Sequence, residues 1–234
     1  MSAPAGRTES IATADGARYD AYIAGESGTA RPALLIFTPI FGVDGDMTAI
    51  ADQWAAEGYL VAVPDYFFRV APGVLDRSEE GRKKGFARWE KLDVDRAIED
   101  MRPLLARLLA SPACNGRIGA IGFCAGGELA FLAATRLGAG AAAAFHGTRI
   151  HSHLAEAHRI CGRLSLHYGG TDPLVPMTEV TQIRAAFKGN PAVDVQVYEG
   201  AAHGFSFAGR PSYHEGAATA SRARAAEVLA GLKA

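Results

Sequence analysis

The residues around Cys124 are of the types a nucleophile needs. The run Gly122-Phe123-Cys124-Ala125-Gly126-Gly127 follows an apolar stretch, Arg117-Ile118-Gly119-Ala120-Ile121, and leads into an alanine-rich pattern of helical spacing. This is the G-x-Nuc-x-G spacing of a nucleophile elbow, with sulfur where a serine hydroxyl is commoner. The nucleophile stands on a tight, strained turn, so the residues two before and two after it must be nearly free of side chain, as Gly122 and Gly126 are. The helix that follows aims its N-terminal N–H groups at the sulfur and at any oxyanion formed beside it. A thiol also needs a base, and the base an orienting carboxylate. Asp172, in Gly169-Gly170-Thr171-Asp172-Pro173, and His203, in Gly200-Ala201-Ala202-His203-Gly204-Phe205, each follow an apolar run that reads as a strand. Alone, Cys124 would pass for an inert buried thiol and Asp172 for a turn former before proline. Three such residues at strand ends, in the order nucleophile, acid, histidine, point to acyl transfer.

Positioning them on one rim takes alternating strands and helices. Residues 17–24 read as an edge strand, 33–38 as a strand covered on both faces, and 59–63, 141–145, 164–168 and 193–198 as further strands around the one that ends in the elbow. Helical spacing marks 47–57, 76–91, a stretch from 92 to 108 that Pro103 must kink or divide, 177–187 and 217–232. The first ten or so residues, small and polar, are expected to be loose. The alternation predicts a doubly wound, mostly parallel α/β sheet flanked by helices, as a single domain over 1–234.

Composition narrows the class. The chain has 234 residues, is 49% hydrophobic and carries a formal net charge of −1, so nothing directs it to nucleic acid or an anionic membrane. No apolar stretch reaches the ~20 residues of a membrane span, and the N-terminal residues lack a signal-peptide core. Three cysteines without paired or C-x-x-C spacing indicate neither a disulfide framework nor a zinc site. A reducing, cytoplasmic location is expected, with Cys114 and Cys161 as packing residues. His151, His153 and His158 are expected at solvated positions rather than on a metal, and His146 as a hydrogen-bonded structural residue. Tyr66, Phe67, Phe86, Trp89, Phe145 and Phe205 are candidates for an apolar pocket or for core.

Over nearly its whole length the chain resembles the dienelactone hydrolases, or carboxymethylenebutenolidases, of the α/β-hydrolase superfamily. The resemblance rests on Ile40-Phe41-Gly42-Val43, Pro64-Asp65, Ala71-Pro72-Gly73, the cysteine elbow, Gly170-Thr171-Asp172-Pro173-Leu174-Val175-Pro176 and Ala202-His203-Gly204-Phe205. It implies a Cys124–His203–Asp172 triad acting without a cofactor on a small-molecule ester or lactone; a monomer or homodimer is expected, with no metal. It further implies an oxyanion hole from the N–H groups of Ile40 and Ala125. Arg82, Phe41, Phe205 and Phe207 are the expected substrate contacts. Two positions depart from the family. Pro39 stands where a glutamate that contacts the resting cysteine is usual. Phe207 stands where a second substrate-carboxylate arginine is usual, with Arg210 close by but out of register. Two other readings fit the residues less well. A class I glutamine amidotransferase would place its acid two residues after the histidine, and that residue is Phe205. A non-catalytic small-molecule-binding protein would have no use for an intact triad.

Overall fold

The computed structural model describes residues 6–26 and 28–234. Eight strands form the mostly parallel sheet that the alternation predicted, with helices between them. The chain divides into two compact units, Met1–Ile118 and Gly119–Ala234, and the strand that ends in the elbow, Cys114–Phe123, runs across the division.

The first unit holds β1 (Arg7–Ala12), β2 (Arg18–Ala24), β3 (Arg31–Phe37) and β4 (Leu60–Pro64), in the order β1-β2-β4-β3. β3 and β4 are parallel and buried almost throughout, which is why they read as unbroken apolar runs. Residues 7–10 are not loose: β1 pairs antiparallel with β2 from Arg7↔Ile23 to Ala12↔Arg18, so the edge strand is β1. Its charges are satisfied. Arg107 lies 2.8 Å from Glu9 and 2.6 Å from Glu26, and charged residues suit an edge strand. The expectation for residues 1–5 lies outside the described residues.

Helices α1 (Gly45–Ala56), α2 (Glu79–Glu90), α3 (Val94–Glu99) and α4 (Arg102–Leu109) complete this unit. Asp44, Ser78 and Asp93 cap the first three by accepting the N–H of Met47, Gly81 and Arg96. Pro103 divides rather than kinks the stretch after 92: it sits in the first turn of α4, where a missing N–H costs nothing.

Helix α2 is charge-rich, yet it buries Gly81, Gly85 and Arg88 on one face. A Cβ on Gly85 would lie 3.0 Å from the Ile40 carbonyl oxygen, so glycine lets the helix close on the loop after β3. Arg88, 2% exposed, then donates to the Ile40 carbonyl from Nε and Nη2 at 3.0 and 2.8 Å. Its Nη1 donates to the carbonyls of Ala71 and Gly73, both at 2.9 Å. Arg88→Met would leave three carbonyls without their donor, so a stability loss of about 3 kcal/mol is expected. Arg88→Lys should recover only part of it, because an ammonium lacks the planar fork. Chemical denaturation measures this, and a loss below ~0.5 kcal/mol for Arg88→Met would show the loop is held otherwise.

In the second unit the end of β5 (Cys114–Phe123) pairs in parallel with β6 (Ala141–Phe145), which pairs with β7 (Arg163–Gly169), which pairs with β8 (Val193–Tyr198). Helices α5 (Ala125–Arg136), α6 (Met177–Ala186) and α7 (Glu215–Ala230) follow β5, β7 and β8. Every residue of α5 from Ala125 to Ala134 is buried. Glycine allows the closest approach, since a Cβ on Gly127 would stand 2.3 Å from the Gly147 Cα.

A 3₁₀ segment, Ile150–Arg159, lies between β6 and β7 and went unread in the sequence. It corrects one expectation: His153 is not solvated but bonded at 2.7 Å to the buried Glu128 of α5. His151 lies 2.7 Å from Glu179, and His158 is exposed as expected. Cys161 is exposed rather than packed, while Cys114 is half-buried. Among the described residues no helix is long and apolar enough to cross a membrane.

Candidate active site

The elbow is built as its glycines require. A Cβ on Gly122 would stand 2.1 Å from the Gly126 carbonyl oxygen, so the turn closes only on glycine. Cys124 itself has φ 54° and ψ −119°, a strained conformation for a residue with a side chain. Three hydrogen bonds hold it there. The Cys124 N–H donates to the Phe145 carbonyl at 3.1 Å, and the Cys124 carbonyl accepts from Gly127 at 2.9 Å and Thr148 at 3.1 Å. Cys124 precedes α5 without capping it through its side chain, and the residue is 8% exposed. The thiol is thus placed at a helix N-terminus and left available for chemistry.

The loops that carry Asp172 and His203 are stitched together. A Cβ on Gly169 would lie 2.4 Å from the Ala201 carbonyl oxygen, so glycine again permits the approach. The Gly170 N–H donates to Tyr198 at 2.8 Å, and the N–H and hydroxyl of Thr171 donate to the Ala201 carbonyl at 3.0 and 2.9 Å. On this frame Asp172 Oδ2 meets His203 Nδ1 at 2.8 Å. Asp172 Oδ1 accepts the N–H groups of Leu174 at 2.8 Å and Val175 at 3.3 Å. The carboxylate therefore has a fixed rotation, with one oxygen committed to backbone and the other to the imidazole.

Burial alone would pull the His203 imidazolium down. The Cys124 charge and the Asp172 hydrogen bond outweigh burial and push it up to about 10. A hydrogen bond with Cys124 adds to the lift, although His203 Nε2, buried, meets no partner at ideal hydrogen-bond geometry.

The remaining expected site residues lie as follows. Phe205 is fully buried against Ala201 and Ala217 with Tyr198 beside it. Phe207, 3% exposed, packs on Phe123 with ring centroids 5.2 Å apart, and the Arg210 guanidinium lies 3.6 Å from its centroid. Ala125, the first residue of α5, is fully buried. In the first unit Ile40 is buried with its carbonyl on Arg88, Phe41 is half-buried under the Arg77 guanidinium, and Arg82 is exposed on α2. Sequence reading overlooked Arg88, whose signal was the spacing Gly81, Gly85, Arg88 on one helical face. It also left Ser206 unremarked.

A tight glycine-flanked turn at Cys124 ahead of a buried helix, with the Asp172 and His203 loops after later parallel strands, defines an α/β-hydrolase fold. The family model "Dienelactone hydrolase family" matches residues 19–232. The chain belongs to that family and is a hydrolase of lactones or esters. It is 33% identical over 223 residues to a putative carboxymethylenebutenolidase of Azospirillum brasilense, covering 93% of this chain and 95% of that one. It is 29% identical over 226 residues to the carboxymethylenebutenolidase of Pseudomonas putida, covering 96% of each. The crystal structure of a putative dienelactone hydrolase from Klebsiella pneumoniae superposes with a TM-score of 0.83 at 23% identity, covering 96% of this chain and 98% of that one.

Proposed function

We propose that the chain hydrolyses small lactones or esters through a Cys124–His203–Asp172 triad and a thioester intermediate, as one cytoplasmic hydrolase domain, monomeric or homodimeric. The observation that carries this reading is the His203–Asp172 bond at 2.8 Å, with the upward push on His203 by Cys124 in keeping with it. His203 takes the Cys124 proton, and the thiolate attacks the carbonyl carbon. The N–H of Ala125 at the α5 terminus stabilises the oxyanion; the resemblance implies Ile40 N–H as the second donor. Collapse breaks the ester C–O bond, and the leaving oxygen takes the proton from His203. Water, deprotonated by His203, then attacks the thioester and expels the thiolate. Asp172 holds the imidazole tautomer throughout.

Substrate selection follows the family departures. Phe207, buried against Phe123, stands in place of a second arginine and supplies no guanidinium for a substrate carboxylate. Neutral esters should therefore be accepted alongside acidic lactones, with Arg82 and Phe41 as the proposed contacts; Phe205, fully buried, is core rather than a contact. The intermediate is the direct test. Mixing with an activated aryl ester and quenching in acid should leave the acyl group on the Cys124 peptide by mass spectrometry. Turnover with the acyl group on another residue, or with none trapped under burst conditions, would remove the thioester route.

A further inference from the structure

His146 sits at the turn after β6, and three observations set it apart from a packing residue. Its φ of 42° lies in the left-handed region, unusual for a residue with a side chain. The turn it occupies holds both peptide groups of the elbow: Phe145 accepts the Cys124 N–H at 3.1 Å, and Thr148 donates to the Cys124 carbonyl at 3.1 Å. Its ring stands against the His203 ring at 65°, with centroids 4.7 Å apart.

We propose that His146 is a positioning residue for the base, holding the His203 imidazole in the orientation that faces Asp172 from the turn whose Phe145 and Thr148 hold the strained backbone of Cys124. One turn thereby ties the main chain of Cys124 to the ring of His203. The ring is itself fixed: Nε2 lies 3.1 Å from Ser206 Oγ, and Phe123, Phe205 and Phe207 surround it with centroids 5.5 to 6.4 Å away. The His146 N–H donates to the His167 carbonyl at 2.7 Å, which anchors the turn to β7. Full burial, then the charges of His203 and Arg210, hold the His146 imidazolium well below its ordinary range. A neutral ring suits the role, because a second cation at this distance would oppose protonation of His203.

The proposal rests on the triad reading, and the experiment separates the two. Kinetics are compared for wild type, Cys124→Ala, His146→Gly, His146→Phe and Ser206→Ala, with circular dichroism and thermal unfolding for each. His146→Gly keeps a residue that favours positive φ but removes the ring. It should lower kcat about 10²-fold, the size of loss expected from a small misplacement of a catalytic group, with KM within about 3-fold. His146→Phe restores a ring and should recover most of that loss. Ser206→Ala releases the ring with little change of volume and should cost kcat about 5-fold at unchanged KM. Equal losses in the Gly and Phe variants, or a loss carried by KM, would overturn the positioning role. Should His146→Gly not fold, a drop in Ser206→Ala with kcat kept in His146→Phe would support the role of the ring, and no drop in Ser206→Ala would overturn it. Activity surviving in Cys124→Ala would refute the triad reading instead.

Discussion

Cys124→Ala should lower kcat/KM by about 10⁴-fold or more across lactones and aryl esters while leaving the fold in place. The argument runs from the covalent step. Without sulfur no thioester forms, and His203 and the α5 terminus retain only the residual catalysis that binding and oxyanion stabilisation provide. The change removes a single sulfur atom from a residue held at φ 54° by three backbone hydrogen bonds, none of which needs the side chain. Thermal unfolding should therefore stay close to wild type. Cys124→Gly should instead be more stable by about 1 kcal/mol, since glycine relieves the backbone strain. Steady-state rates on a substrate panel, with a calorimetric scan of each protein, check both statements. An alanine variant that kept a hundredth of the wild-type rate would place the nucleophile elsewhere.

Asp172→Asn should cost about 10⁴-fold in kcat, and the fold explains why the loss is so large for a near-isosteric change. The Oδ1 position accepts two backbone N–H groups, from Leu174 and Val175. An asparagine must put its carbonyl oxygen there, which turns its NH₂ toward His203 Nδ1. The imidazole then has to accept at Nδ1 and carry its proton on Nε2, the wrong tautomer for taking a proton from Cys124. The same substitution removes one of the causes that lift His203 to about 10, so its titration midpoint should fall. The sign for stability follows. A group raised in the folded state from 6.5 to about 10 contributes fully below 6.5 and loses that contribution as pH climbs toward 10. The Asn variant should therefore lose less stability across that interval than wild type. Ring-proton NMR titration, with denaturation at pH 6.5 and 10, measures both effects. An unchanged midpoint, or a kcat within 10-fold of wild type, would mean that Asp172 does not set the tautomer.

The amino-acid sequence by itself determined the parts of this protein that follow local rules. Gly122 and Gly126 around Cys124 state a turn that only small residues close. The unbroken apolar runs of β3, β4 and β6 state strands buried on both faces. The order of Cys124, Asp172 and His203 at strand ends states a chemistry, because strand C-termini are where such a sheet presents its loops. Pro103 marked a helix boundary because a missing N–H has only one tolerable place. What the tertiary structure decided depends on partners far along the chain. Residues 7–10 became a strand because β2 offers a ladder and Arg107, about a hundred residues away, neutralises Glu9. Arg88 reads as one more charge on a solvated helix until the glycine face of α2 brings it onto three carbonyls. His153 found Glu128, and His146 found both the elbow and His203, through packing between segments that share no local pattern. Spacing along a chain encodes steric permission and periodicity. The pairing of a buried charge or ring with its partner is fixed only when the sheet brings distant loops to one rim.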